Sequence, residues 1–366
     1  MARSTYWPQL NLTSGLSQTT NLSPSQTSTQ PISLLNTGVA VRQTLWTFGK
    51  LDAAVDQAEA QTEALRRQAQ LTAVEVAWGV RQAYLSWAQA AGLETQSAEQ
   101  VRYAESTLAE ARARFKAGVA ARLDVTRAEA TLALNRATLA AARATTAQAR
   151  RSLAAAIGQT APVEGEPTFP ATPPLANRPI KELEADAADH PDLLVGQAQL
   201  AQAEAATRAA EVAGLPDINA DGSYGIRARD FQGAPNWQAG VSLNWPLFTG
   251  FAVTSQAEAT RGQEAAVRAT LEARRLAILR DVDNAYLGLE GAKDRVPAAK
   301  TAVDAARANL DQAQGRYRAG VGSIIEVADA QSLLASAQAD WVRAVTSYHL
   351  AIADLQRAMG VTGVPQ

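Results

Sequence analysis

Apolar residues recur along the chain at two periods, and the switch between them separates helices from strands. Over residues 281–318 the period is seven: Val282, Leu289, Val296, Val303, Leu310 and Tyr317, with Ala285, Ala292, Ala299, Ala306 and Ala313 three positions after the first five. A strict heptad predicts a helix that supercoils left-handedly against its neighbours, and the alanines predict close axes. The pattern stops at Ala319-Gly320-Val321-Gly322-Ser323 and restarts at Ile325. Glycine ends one helix there, and a return helix begins.

Ahead of each long helix the period is two. Ile218, Ala220, Gly222, Tyr224, Ile226 and Ala228 alternate with Asp217, Asn219, Asp221, Ser223 and Arg227, and Trp237, Ala239, Val241, Leu243 and Trp245 alternate with Gln238, Ser242 and Asn244. Such runs predict strands with one dry face and one wet face. Residues 229–236, with Gly233 and Pro235, read as a polar loop that makes the pair a hairpin. Earlier, Leu10, Leu12 and Leu16, then Leu35, Val39, Val41 and Leu45, alternate in the same way around a Ser/Thr/Gln/Pro loop at 18–33. Tyr6, Trp7, Trp46, Tyr224, Trp237 and Trp245 are expected at strand ends, a distribution like the aromatic girdle of a membrane barrel.

The turn Arg316-Tyr317-Arg318-Ala319-Gly320-Val321 has a counterpart in Arg114-Phe115-Lys116-Ala117-Gly118-Val119, an offset of 202 residues that holds from Leu45/Leu247 to Gly158/Gly360. The chain is a tandem duplication. Residues 1–158 form the first repeat, with a hairpin at 7–48, a long helix at 50–117 and a return helix at 123–157. An irregular linker rich in Pro, Thr and Glu occupies 159–190. The second repeat, 191–366, has a helix at 191–214, a hairpin at 216–248, a long helix at 250–318 and a return helix at 325–359. Pro297 should kink the long helix. Each long helix would reach about 100 Å, too far to bury its seam within one compact domain. Matching Trp7-Pro8 to Leu215-Pro216 further predicts a helix of about 23 residues before the first strand. The sequence starts too late to contain it, so Met1 is expected not to be the natural start, and signal peptide and lipidation stay unread.

Composition narrows the function. Charged residues make up 19% of the 366, the net charge is −2 and cysteine is absent. That balance carries no footprint of a nucleic-acid binder, and the lack of cysteine excludes disulfides and thiolate metal sites. No uncharged apolar stretch is long enough for a transmembrane helix. The two histidines, His190 and His349, stand apart, and no phosphate-binding glycine loop, HExxH or GxSxG occurs. These readings predict no enzyme activity, no cofactor and no metal site. Four strands with a lipid-compatible face cannot close a barrel alone, whereas three chains with about twelve strands between them can. The expected fold is mainly α with a membrane β-barrel portion: long coiled-coil hairpins plus β-hairpins, forming a trimeric 12-stranded β-barrel continued by an α-helical barrel.

In this order of elements the chain resembles the TolC family of outer-membrane efflux proteins. The resemblance rests on Gln43-Thr44-Leu45-Trp46 and Trp245-Pro246-Leu247-Phe248-Thr249-Gly250 at the strand-to-helix junctions and on Arg316-Tyr317-Arg318-Ala319-Gly320-Val321-Gly322 at the turn. Glu326-Val327-Ala328-Asp329-Ala330-Gln331 follows that turn, and His190-Pro191-Asp192-Leu193 opens the second-repeat helix. It implies a homotrimeric exit duct of a tripartite efflux or type I secretion system, set in outer-membrane lipid with a long periplasmic extension. Docking of a periplasmic adaptor (membrane fusion) protein and an inner-membrane transporter would open its periplasmic end. On this resemblance Gly118, Val119, Gly320, Val321 and Gly322 belong to adaptor-docking turns, Glu326 and Asp329 to an acidic ring at the entrance, and Asp124 and Tyr317 to links that hold the tip shut. Gly322 falls where those relatives carry an arginine. The competing expectation is a periplasmic coiled-coil adaptor or scaffold without channel activity.

Overall fold

The computed structural model describes residues 2–19, 32–229 and 232–362. Strands β1 (Gln9–Thr19), β2 (Ile32–Trp46), β3 (Asp217–Arg229) and β4 (Gln232–Asn244) form one antiparallel sheet in the order β1-β2-β3-β4. The helices are α1 (Lys50–Lys116), α2 (Arg122–Ala156), α3 (Ile180–Asp186), α4 (Pro191–Val212), α5 (Ala252–Arg318) and α6 (Ile324–Ala358). Short 3-10 segments occupy Ala2–Tyr6, Pro174–Asn177 and Ala187–Asp189.

The loop expected at 18–33 falls mostly outside the described residues. The one expected at 229–236 is corrected, because β4 starts at Gln232 and pairs Ile226 with Pro235 and Ala228 with Gly233. Within the single chain β4 is an edge strand with β3 as its one neighbour, a position where proline is found in sheets. At Gly233 an added Cβ would lie 2.8 Å from Ile226 Cγ2, so the strand passes close by virtue of having no side chain there.

The helices keep the duplication to the residue. Both long helices have 67 residues and both return helices have 35. Leu289, Val282, Leu310 and Tyr317 of the heptad seam are buried, and the helical assignment is unbroken through Pro297. At each strand-to-helix junction two consecutive residues are left-handed: Phe48 and Gly49 (φ 53 and 91) before α1, Gly250 and Phe251 (φ 61 and 66) before α5. The glycine and the phenylalanine have changed places, yet Lys50 N bonds Thr47 O at 3.1 Å and Ala252 N bonds Thr249 O at 3.2 Å.

The chain divides into two compact units, Met1–Gln68 with Leu193–Arg274, and Ala69–Asp192 with Arg275–Gln366. In the first, the sheet is accompanied by α4 and the neighbouring parts of α1 and α5. Gly196 lets α4 approach α5, since a Cβ there would lie 2.7 Å from Leu271 Cδ1, and Arg261 pairs with Glu211 at 2.6 Å. In the second unit, α1–α2 and α5–α6 are helical hairpins. Glutamine and threonine side chains tie α1 to α6, with Gln100 donating to Gln338 at 3.1 Å and Gln331 to Thr107 at 2.8 Å. Buried amides of this kind are tolerated because they satisfy one another.

Candidate functional site

Strand register sorts the sheet residues onto two unlike faces. Leu12, Val39, Tyr224 and Trp237 stand opposite one another across all four strands, and Leu10 faces Val41 on the same side. These apolar side chains are exposed, Trp237 at 75%. The opposite face is polar and bonded across strands. Arg42 Nε lies 2.6 Å from Asp221 Oδ1, Ser242 Oγ donates to Asp221 Oδ2 at 3.3 Å, and Thr44 Oγ1 donates to Asn219 Oδ1 at 3.1 Å. Gly38 and Gly225 meet on that face, where a Cβ on Gly225 would lie 2.6 Å from Thr37 O. A sheet bare on its apolar side is unstable in water and suited to hydrocarbon.

The aromatic residues fall into two groups. Tyr6 and Trp7 precede β1, Trp46 ends β2 and Trp245 follows β4. Tyr224 and Trp237, expected at strand ends, are instead mid-strand and face each other, because β4 extends through the supposed loop. From Trp237 to Trp245 an extended chain covers about 26 Å at roughly 3.3 Å per residue. Sequence reasoning missed Phe48 and Phe251 at the junctions: Phe48 packs edge-on to Trp46 at 6.2 Å, and Phe251 to Phe248 at 5.8 Å. Their signal was the aromatic-glycine pair beside each strand end.

At the other end of each long helix the turns are built by glycine. Gly118 and Gly320 are left-handed (φ 76 and 77), Gly118 N bonds Phe115 O at 3.0 Å, and Gly320 N bonds Tyr317 O at 3.1 Å. In the second turn, Gly322 N also bonds Arg316 O at 3.0 Å. A Cβ at Gly322 would lie 2.9 Å from Arg316 Cβ, so this turn leaves no room for the arginine of the resembled family. Val119 and Val321 are exposed at the tips.

Arg114 of α1 connects the two turns and was not singled out from sequence. Its Nη1 donates to the Tyr317 carbonyl and, at 3.3 Å, to that of Arg318, and its guanidinium lies 4.5 Å from the Tyr317 ring centre. These carbonyls end α5, where the ordinary helical donors run out and Gly320 N reaches only that of Tyr317, so a cation is a natural cap. Arg318 adds an ion pair to Glu110 at 3.6 Å. Tyr317 is 4% exposed, and among the described residues its hydroxyl has no hydrogen-bond partner. Burial first, then the Asp124 carboxylate, push its phenol above the ordinary 10.0, while Arg114 pulls the other way. Among the described residues Asp124 makes no side-chain hydrogen bond or ion pair and acts on Tyr317 through its charge, whereas Arg114 lies against the Tyr317 ring. Glu326 is exposed and accepts from Arg316 Nε at 3.3 Å, whereas Asp329 is exposed without an ion pair among the described residues. No described helix is long and apolar enough to cross a membrane, and no described group of His, Asp and Glu is placed to hold a metal ion.

An antiparallel sheet with one lipid-compatible face, joined to duplicated coiled-coil hairpins, defines a class of barrel-and-coil membrane proteins. The family model described as "Outer membrane efflux protein" matches residues 1–159 and 184–361, and the chain belongs to that family. It is 25% identical over 263 residues to nodulation protein T of Rhizobium leguminosarum bv. trifolii, covering 68% of this chain and 55% of that protein. To outer membrane protein TolC of Salmonella enteritidis it is 25% identical over 202 residues, 51% of this chain and 40% of that protein. The chain thus matches about half the length of these relatives or less. The fold is shared with the outer membrane protein VceC of Vibrio cholerae, with a TM-score of 0.81 at 18% identity over 98% of this chain and 88% of that one. Family membership puts the chain in the outer membrane with a periplasmic extension. It also displaces the adaptor or scaffold reading, since the family model spans both repeats.

Proposed function

We propose that the protein is the exit duct of a tripartite efflux or type I secretion system, a homotrimer whose copies each supply four strands of one barrel. The observation that carries this reading is the sheet itself: β1 and β4 have no outer neighbour among the described residues, one face is a bare apolar band and the other a bonded polar network. In a bilayer open strand edges are forbidden, and joining β1 of one copy to β4 of the next removes them. The apolar face then meets lipid and the polar face lines a water-filled lumen. Trp237 and Tyr224 on one side, and Tyr6, Trp7, Trp46 and Trp245 on the other, act as the two interfacial girdles, about 20 Å apart along the membrane normal at a strand tilt of roughly 40°.

The paired turns act as the periplasmic tip. Gly118, Val119, Gly320, Val321 and Gly322 form the surface that an adaptor docks on before an inner-membrane transporter delivers cargo. Tyr317 with Arg114 holds the tip shut, Asp124 contributes through its charge, and three copies of Glu326 and Asp329 attract cations at the entrance.

Planar-bilayer recording of the protein bearing its natural N-terminus tests the duct. Discrete conductance is expected, together with a trimeric band after cross-linking between single cysteines on β1 and β4, which the cysteine-free sequence makes clean. A monomer on the gel and no current would end the proposal. Glu326→Gln with Asp329→Asn should weaken block by multivalent cations, and unchanged block would remove the acidic-ring assignment alone.

A further inference from the structure

Residues of the linker between the repeats run over a cavity of about 630 Å³ whose walls come from α1, α2 and α6. The linker is held in place by named contacts. Thr168 N donates to the Tyr84 hydroxyl at 3.0 Å, that hydroxyl donates back to Thr168 O at 2.7 Å, and Phe169 stacks on His349 with ring centres 5.1 Å apart. Beneath it the walls are largely apolar, with Val80, Leu85, Leu153 and Ile352 among them.

Two polar side chains stand in this lining. Gln356 is only 7% exposed. Arg81 bonds through Nη2 to the Thr362 carbonyl, and among the described residues no carboxylate pairs with it; its partial burial lowers the affinity of its guanidinium for the proton. A half-buried cation with no acid beside it is costly in an apolar setting. An anion would offset that cost through charge-assisted hydrogen bonds, and an apolar body would cover the walls.

We propose that this cavity is a binding site for small aromatic or branched aliphatic carboxylates, with Arg81 and Gln356 taking the carboxylate and the apolar walls the hydrocarbon. The site is separate from the turns and from the sheet, so it adds a ligand to the protein without depending on the passage of cargo.

Isothermal titration of the full chain in amphipol with 2-naphthoate, and in parallel with its neutral analogue 2-naphthamide, tests this. One naphthoate per chain is expected, bound about tenfold more tightly than naphthamide. Arg81→Gln should erase that preference while leaving naphthamide binding in place, which also shows that the variant is folded. Gln356→Leu should weaken naphthoate by a smaller factor. Ala171→Trp, which fills the cavity from the exposed linker, should abolish binding of both probes. Equal affinities for the two probes, naphthoate binding that survives both Arg81→Gln and Ala171→Trp, or no naphthoate binding at millimolar concentration would each overturn the proposal. Because the readout is binding rather than current, failure here leaves the duct reading standing, and a silent bilayer leaves this one standing.

Discussion

Hairpins α1–α2 and α5–α6 share their lengths and their turn glycines, but they are filled differently. In α5–α6 a continuous buried core runs from Val303 through Tyr317 and Ile324 to Ala337. In α1–α2 the buried cluster nearest the turn is smaller: Ala104, Leu108, Ala111, Ala128 and Leu132. Where the second hairpin has Tyr317, Ile324 and Ala337, the first has Phe115, Arg122 and Asn135, and Phe115 is 44% exposed. The first hairpin carries three cross-helix ion pairs, Arg112–Glu129 at 2.6 Å, Arg136–Glu105 at 2.8 Å and Arg143–Glu94 at 3.8 Å, against Arg316–Glu326 at 3.3 Å in the second. The equivalent second-hairpin positions are Gln314 and Gln331, Gln338 and Arg307, and Val345 and Val296. Turn glycines and helix-forming sequence set the geometry in both, and the side chains then distribute stability unequally. Apolar burial is worth far more than exposed ion pairs, so the tip of α5–α6 should be the stiffer.

The strongest way to break this comparison is to empty one core at a time. Leu334→Ala should cost about 3 kcal/mol and Leu132→Ala nearer 2 kcal/mol, read as lost hydrogen-exchange protection in the corresponding hairpin. Equal losses would mean that the two cores are equivalent after all. Next come the far ends of the return helices, where Gly158 and Gly360 are both left-handed (φ 76 and 68). Alanine at either should cost about 1 kcal/mol from the backbone alone. At Gly360 the methyl would also lie 2.3 Å from Pro191 Cδ, while at Gly158 nothing lies within 4 Å, so Gly360→Ala should lower the melting temperature markedly more. A smaller contrast concerns the helix starts. Ser323 Oγ accepts from Glu326 N at 3.3 Å, whereas Ala121 offers no side-chain cap to α2. Ser323→Ala should lose about 1 kcal/mol and Ala121→Ser should recover a similar amount, checked by thermal melts of both variants. Smallest of all is salt: raising ionic strength should speed exchange in α1–α2 slightly and in α5–α6 less, because exposed pairs are worth roughly 0–1 kcal/mol each and are screened, and α5–α6 has the single cross-helix pair Arg316–Glu326 among the described residues.

The seven-residue seam was legible because burial at Val282, Leu289, Val303, Leu310 and Tyr317 follows from local periodicity. Helix ends were legible to within a residue or two for the same reason, since Gly118 and Gly320 act on their own neighbours. Contacts between distant segments were not. Nothing near Arg114 in the sequence announces that its guanidinium caps the carbonyls of Tyr317 and Arg318. The start of β4 was misread because Gly233 and Pro235 have turn chemistry. At an edge, and against Ile226, that same chemistry permits a strand.

The exchange of Phe48-Gly49 for Gly250-Phe251 carries one more consequence. Two left-handed residues are needed at each junction and one glycine suffices to make the pair affordable, in either slot. The bend therefore belongs to the dipeptide as a unit, indifferent to its order. An aromatic ring at such a joint can be moved by one residue, and so swung around the helix axis, while the backbone keeps its path; the two halves of this chain are a ready-made template for that manoeuvre.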